Sequence, residues 1–261
     1  VLDGMDVKET IMNMLSTAIT NQVSSAFLGD KHLDEARFRD MMKSVEGVYF
    51  PKYAVKIEPE EELTFAVFGN SDSLTVGEEV SMIDPESSRA YVSAGHQLTV
   101  DRMVEALMLP SGNDAALALT EVCGGESLFV EKMNALAQRI GMENSSFRNP
   151  NGLDEEGHYS TARDMARLAA YAADDPAFVR LCSTTNASVA GRSMSNHNKL
   201  LRRIDGCIGM KTGSTKAAGR TLVSCVEREG CRLVAVTLKA SDDWSDHEKL
   251  YEFGFALEGI T

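Results

Sequence analysis

The last third of this chain reads as strands and the middle third as helices, and that order restricts the fold. Residues 220–226 and 231–238 are apolar runs on either side of Glu227-Arg228-Glu229-Gly230, the pattern of an antiparallel hairpin. A short strand is expected at 210–213 and a closing helix at 247–257. Helices are expected at 98–109, 113–122, 127–140 and 161–173, with breaks at Pro110 and Gly141. Met103, Ala106 and Leu107 share one face of the first. Thr161, with Asp164 three residues on, resembles an N-cap pair. Nearer the start, Ile11, Met14, Leu15, Ala18, Ile19 and Val23 keep a spacing of three and four, which predicts a helix over 7–28. A second is expected over 33–45, followed by extended stretches at 48–57 and 63–68 around the acidic run Glu58-Pro59-Glu60-Glu61-Glu62. Strands, then a helical block, then strands with a closing helix describe an α+β layer structure, not alternating βαβ units.

A chain of 261 residues, 43% hydrophobic and 25% charged, can bury a substantial core in one large domain, or one domain with an appendage. The formal net charge of −13 argues against a nucleic-acid partner. No apolar run reaches the roughly 18–20 residues of a membrane span, and no membrane anchor is visible. The first residue is Val1, not Met, so the expectation is that the true start has been cut away.

The five cysteines, Cys123, Cys182, Cys207, Cys225 and Cys231, are odd in number and irregular in spacing, which suits neither a metal knuckle nor a disulfide framework. Cys225 and Cys231 flank the hairpin turn and face each other across it or are two small buried thiols, the second being the plainer reading. His96, His158, His197 and His247 are scattered, and no pair has metal-ligand spacing. No metal or cofactor is expected. Arg163-Asp164 reads as an exposed helix-start pair, and Trp244 as a loop anchor.

Two short motifs carry chemistry. In Lys211-Thr212-Gly213, a lysine ammonium at a strand edge can hold an anion as a point charge, and Thr212 can add a hydroxyl donor. Gly213 leaves room for a substrate to lie against the strand, and the Ser214 N–H is placed to stabilise an oxyanion. The plain alternative is a polar turn before a strand. About 100 residues earlier, Ser111-Gly112-Asn113 follows Pro110 at a helix break. Ser111 can relay a proton and Asn113 can bind a substrate amide. Alternatively, one of the two caps the next helix.

Together with their flanks, these motifs resemble the serine-type D-Ala-D-Ala carboxypeptidases, the low-molecular-mass penicillin-binding proteins. The resemblance covers roughly residues 73–257. It rests on Leu107-Met108-Leu109-Pro110-Ser111-Gly112-Asn113-Asp114-Ala115-Ala116, on Asn149-Pro150-Asn151-Gly152-Leu153-Asp154, and on His158-Tyr159-Ser160-Thr161-Ala162-Arg163-Asp164. Asn196-His197-Asn198-Lys199-Leu200-Leu201 and Gly209-Met210-Lys211-Thr212-Gly213-Ser214-Thr215 complete it. It implies a β-lactamase/transpeptidase-like fold: an antiparallel sheet flanked by helices, with a mostly helical second lobe. The substrate it implies is a peptidoglycan stem peptide ending in D-Ala-D-Ala, with β-lactams as ligands and no cofactor. The carboxylate would rest on Lys211 and Thr212, the acyl-side amide on Asn113 and the oxyanion on the Ser214 N–H, with Ser111 as proton relay. Gly112, where Asp stands in β-lactamases, favours the carboxypeptidase branch. An extracytoplasmic location is implied by the resemblance alone.

One family feature is missing from the text. No serine in the 261 residues has a lysine three positions on, the pair that normally supplies the acylated nucleophile and its base. Losing such a nucleophile typically costs about a millionfold in turnover. Three readings stay open: a homologue that binds peptide or β-lactam without cleaving it, an incomplete or rearranged enzyme, or a nucleophile from the divergent region 1–72, with Ser44 as the nearest candidate. Residues 73–261 form the carboxypeptidase-like region.

Overall fold

The structure is a computed structural model that describes residues 73–84 and 87–260. The expected helices at 7–28 and 33–45, the expected strands at 48–57 and 63–68, and Ser44 lie outside those residues.

Strands β1 (Ser73–Thr75) and β2 (Gln97–Thr99) pair antiparallel and lead into helix α1 (Val100–Met108). Thr99 caps α1 by accepting the Arg102 N–H. Helices α2 (Asn113–Leu119), α3 (Glu126–Arg139) and α4 (Ala162–Ala173) match the expected block, with Thr161 capping α4 through the Asp164 N–H. Helix α5 (Pro176–Ser183) and the hairpin β3 (Asn186–Val189)–β4 (Arg192–Ser195) were not expected. The signal for α5 was present: Asp175 accepts the N–H groups of Ala177 and Phe178, and Pro176 occupies the first turn. Strands β5 (Cys207–Thr215), β6 (Gly219–Arg228) and β7 (Cys231–Leu238) form an antiparallel sheet in that order, closed by helix α6 (Asp243–Leu257). Cys225 lies opposite Val234, and Cys231 opposite Arg228, so the two thiols do not meet; all five cysteines are free. Trp244 sits in the first turn of α6, with the Lys199 and Arg220 cations over its ring.

Side chains of a strand alternate between its faces, and β6 uses both. Leu222 and Val226 join Leu200, Tyr251 and Phe255 in a small core beneath α6. Val223 and Cys225 join the larger core, which contains Met103, Leu107, Phe129 and Leu168 from the helical lobe. The sheet is therefore a wall between two cores, and a β5 side chain on the Val223 side faces the helices.

On the α6 side the wall is pinned by buried polar groups. The Ser224 hydroxyl lies 2.7 Å from His247 Nδ1 and 2.7 Å from the Tyr251 hydroxyl, and Thr237 Oγ1 lies 3.0 Å from His247 Nε2. Both ring nitrogens of His247 are thus engaged in a fully buried site. Burial pushes its pKa from the ordinary 6.5 down to about 3. The unfolded chain takes up this proton near pH 6.5, whereas the folded chain resists until about pH 3. Stability is therefore complete above 6.5 and is lost as pH falls across that window, by up to about 1.4 kcal/mol per pH unit. Thermal melts between pH 7 and pH 4 should show this slope, and His247→Gln should flatten it.

Candidate active site

Helix α1 ends at Met108 with Leu109 as its C-cap, and Pro110, having no N–H, cannot continue it. The next residue, Ser111, has φ 60°, a left-handed conformation uncommon for a residue with a side chain. Gly112 then donates its N–H to the carbonyls of Ala106 and Leu107 and occupies the N-cap position of α2. Neither Ser111 nor Asn113 caps that helix. Gly112 is required by proximity, because a Cβ there would lie 2.6 Å from the Ala106 carbonyl oxygen and 2.7 Å from the Ala90 Cβ. An aspartate side chain has no room in this packing.

The turn is held from below by Asp114. Its carboxylate is fully buried and accepts N–H groups from Ala90 at 2.8 Å, Val92 at 3.0 Å and Ala115 at 3.0 Å. Three donors satisfy a charge that would otherwise be costly to bury. They also tie the segment around Ala90 to the start of α2, where the Asn113 N–H donates to the Ser88 carbonyl at 2.9 Å. Asn113 is buried, and its Oδ1 has no hydrogen-bond partner among the described residues. Such an atom is rare in a folded chain and invites a donor from outside.

Strand β5 delivers the second motif. A bulge between Cys207 and Gly209 shifts its register against β6, with Gly209 at φ 104° and Met210 at φ 85°. A bulge of this kind re-aims the side chains that follow it. Here it brings Lys211 opposite Val223, on the helical-lobe side. Lys211 Nζ lies 2.7 Å from Ser111 Oγ and 2.7 Å from the Thr212 carbonyl oxygen. The lysine is only 3% exposed, whereas Ser111 is half-buried. Among the described residues no carboxylate comes within ion-pair distance of Nζ. Burial lowers its pKa to about 7, opposed by the nearby Cys182 thiol of α5. Thr212, Gly213 and Ser214 continue β5 opposite Leu222, Thr221 and Arg220. Among the described strands β5 has a neighbour only on its β6 side.

Two other segments frame the pair. Asn196 donates to the carbonyls of Cys182 and Thr184, and the His197 N–H donates to the Leu109 carbonyl at 3.3 Å, so residues 196–197 bridge α5 to the end of α1. The His197 imidazole has its pKa lowered by desolvation and, secondarily, by Lys211. On another side, Asp154 accepts the Ala217 N–H at 3.3 Å and fastens the loop at 149–154 to the β5–β6 turn. That loop is braced by Asn149, which donates to Leu153 and Glu155 and accepts from Gly152. Asp164 is not the exposed helix-start residue expected from the sequence. It is fully buried and accepts from the Asn144 N–H and the Ser145 hydroxyl, while Arg167 of its own helix binds the Gly141 carbonyl.

The structure therefore brings Ser111 and Lys211 together, with Asn113 two residues on from Ser111 at the start of α2 and Thr212, Gly213 and Ser214 following Lys211 along β5. The anchors Asp114, Cys182 and Asn196 were not singled out from the sequence. Asp114 lay inside the quoted motif, but nothing local marked its carboxylate as a receiver of distant N–H groups. Among the described residues no cluster of His, Cys, Asp and Glu is placed to hold a metal ion. No helix there is long and apolar enough to cross a membrane.

The chain is similar in sequence and fold to known proteins. A family profile described as D-alanyl-D-alanine carboxypeptidase matches residues 63–242. The D-alanyl-D-alanine carboxypeptidase DacF of Bacillus subtilis is 35% identical over 160 residues, which is 59% of this chain and 41% of that protein. DacA of Haemophilus influenzae is 35% identical over 197 residues, 72% of this chain and 50% of the relative. The chain thus spans about half the length of these curated relatives. The crystal structure of a D-alanyl-D-alanine carboxypeptidase from Mycobacterium tuberculosis superposes with a TM-score of 0.67 at 30% identity, covering 72% of this chain and 75% of that one.

Two substitutions test the scaffold beneath the junction. Gly112→Ala forces a methyl group against Ala106 and Ala90 and is expected to cost about 1–3 kcal/mol in a denaturant titration. Asp114→Ala strands the Ala90 and Val92 N–H groups and is expected to cost at least about 2 kcal/mol by the same measurement.

Proposed function

Because the chain belongs to the D-alanyl-D-alanine carboxypeptidase family, we propose that residues 73–261 receive peptidoglycan stem peptides ending in D-Ala-D-Ala, and β-lactams that imitate them. The observation that carries this reading is the 2.7 Å contact of Lys211 Nζ with Ser111 Oγ, made across 100 residues of chain. In this reading the terminal carboxylate enters beside Lys211 and Thr212. A bound carboxylate favours the ammonium form of Lys211, which has no carboxylate of its own among the described residues. The peptide lies along β5, where Gly213 adds no side-chain bulk and main-chain groups can pair as an added strand does. The Ser214 N–H meets the oxyanion. Asn113 Oδ1 takes a substrate N–H and so loses its unpaired state. Ser111, hydrogen-bonded to Lys211, passes a proton to the departing amine.

The reaction class is acyl transfer with loss of the terminal D-Ala. The place of action is the cell envelope, outside the cytoplasmic membrane, since its substrate is found there. Region 1–72 is an appendage to the peptide-binding unit in this reading.

A labelled penicillin tests the proposal. The expected result is binding that a peptide ending in D-Ala-D-Ala displaces. Lys211→Ala, which removes the charge that meets the carboxylate, should weaken it at least about tenfold, the share of a charged hydrogen bond. Label that survives denaturation marks acylation, and label lost on denaturation marks a module that binds without cleaving. Binding unchanged in Lys211→Ala overturns the assignment.

A further inference from the structure

We propose that Ser111 and Lys211 are a nucleophile–base dyad in their own right, able to take an acyl group from an uncharged ester onto Ser111. This activity is separate from peptide recognition, because an uncharged ester does not bring the carboxylate that would hold Lys211 as an ammonium ion.

Three observations converge on it. The first is accessibility: the hydroxyl is half-buried and the amine is 3% exposed, so a substrate can meet the nucleophile while water is largely kept from the base. The second is the backbone. Ser111 at φ 60° and Met210 at φ 85° are left-handed residues with side chains, one on each side of the contact. Such residues are strained and persist where the surroundings over-determine them. Here Gly112, Asp114 and the β5 bulge do so, and the result aims Oγ at Nζ from a sharp turn.

The third is the electrostatic setting of the amine. Among the described residues, the titratable groups coupled to Lys211 are the Cys182 thiol from α5 and the His197 imidazole from the segment before Lys199. The thiol opposes the lowering of the lysine but is itself pushed well up by burial, and the imidazole is pushed down, in part by Lys211, so burial prevails at the amine. Asp114, the nearest acid along the chain from Ser111, spends its oxygens on backbone N–H groups. Desolvation, with no carboxylate counter-charge among the described residues, leaves a substantial fraction of Lys211 unprotonated near neutral pH.

In the unprotonated state, Nζ has two N–H donors and a lone pair. One N–H donates to the Thr212 carbonyl, and the Ser111 hydroxyl donates to the lone pair. The steps then balance. Lys211 takes the hydroxyl proton as Oγ attacks the ester carbon, and a tetrahedral oxyanion forms. The bond to the leaving alkoxide breaks, and Lys211 returns the proton to it as the alcohol departs. Water, losing a proton to Lys211, next attacks the Ser111 ester, and that proton goes back to Oγ as the acid is released. No further co-reactant is needed. The sequence has no Ser-x-x-Lys pair, and Ser111 and Lys211 are a serine–lysine pair within hydrogen-bond distance.

The test uses an alkyl fluorophosphonate, which phosphonylates an activated serine with loss of fluoride, followed by peptide mass mapping. The expected result is a label on Ser111 of the unmodified protein, at a rate that rises with pH through about 7, the value burial sets for the base, and levels above it. Lys211→Met should slow labelling at Ser111 by about 100-fold or more, the usual share of a general base. Ser111→Ala should remove that label. Thermal melts check that both variants fold, and if Lys211→Met does not, the pH profile of the unmodified protein decides. No label on Ser111, or a Ser111 label that ignores pH, overturns the dyad. A penicillin label on another residue, with Ser111 untouched by fluorophosphonate, would sink the dyad alone and leave the peptide-site reading standing.

Discussion

A buried lysine amine with no carboxylate partner among the described residues is the constraint around which the candidate site is arranged. Taking an amine from water is unfavourable unless something compensates. Here the compensation is two oxygens at 2.7 Å, one from the following residue and one from a serine 100 residues away. The long-range contact needs both sides of the junction to be fixed independently. On the strand side, the Cys207/Gly209 bulge sets the direction of Lys211. On the helix side, Pro110, Gly112 and the Asp114 carboxylate fix a turn that no single one of them would impose.

The wall formed by β5–β7 makes this arrangement possible. Its helical-lobe face joins the larger core, and its other face is sealed by α6. Lys211 can therefore be almost fully covered while Ser111, at the rim of the lobe, keeps contact with solvent. The Ser224–His247–Tyr251 network lies on the opposite face of the same strands and has no part in the junction. It resembles a catalytic set only in composition. Complete burial and a histidine pushed far below its ordinary pKa mark it as a fastening between α6 and the sheet.

Helices with strong periodicity and clear stops were legible in the sequence. The expected helix over 161–173 is observed as Ala162–Ala173, and the one over 127–140 as Glu126–Arg139. Strand ends were less legible: a strand expected at 210–213 extends over Cys207–Thr215, because its register is set by pairing with β6 across a bulge. Asp164 illustrates the same limit. A carboxylate in a first helical turn reads as solvated, and only the return of residues 144–145 to it turns it into a buried acceptor.

From sequence alone came the residue types of the junction, the family resemblance and the α+β order, since motif chemistry and periodicity are local properties of the text. The structure alone decided that Ser111 and Lys211 touch, that the Asn113 acceptor has no partner among the described residues, and that Gly112 rather than a polar side chain starts α2. Each of these depends on the distance between residues remote in the chain, or on what packs against them. Such distances are set by the competition of whole elements for one core, which no single stretch of sequence records.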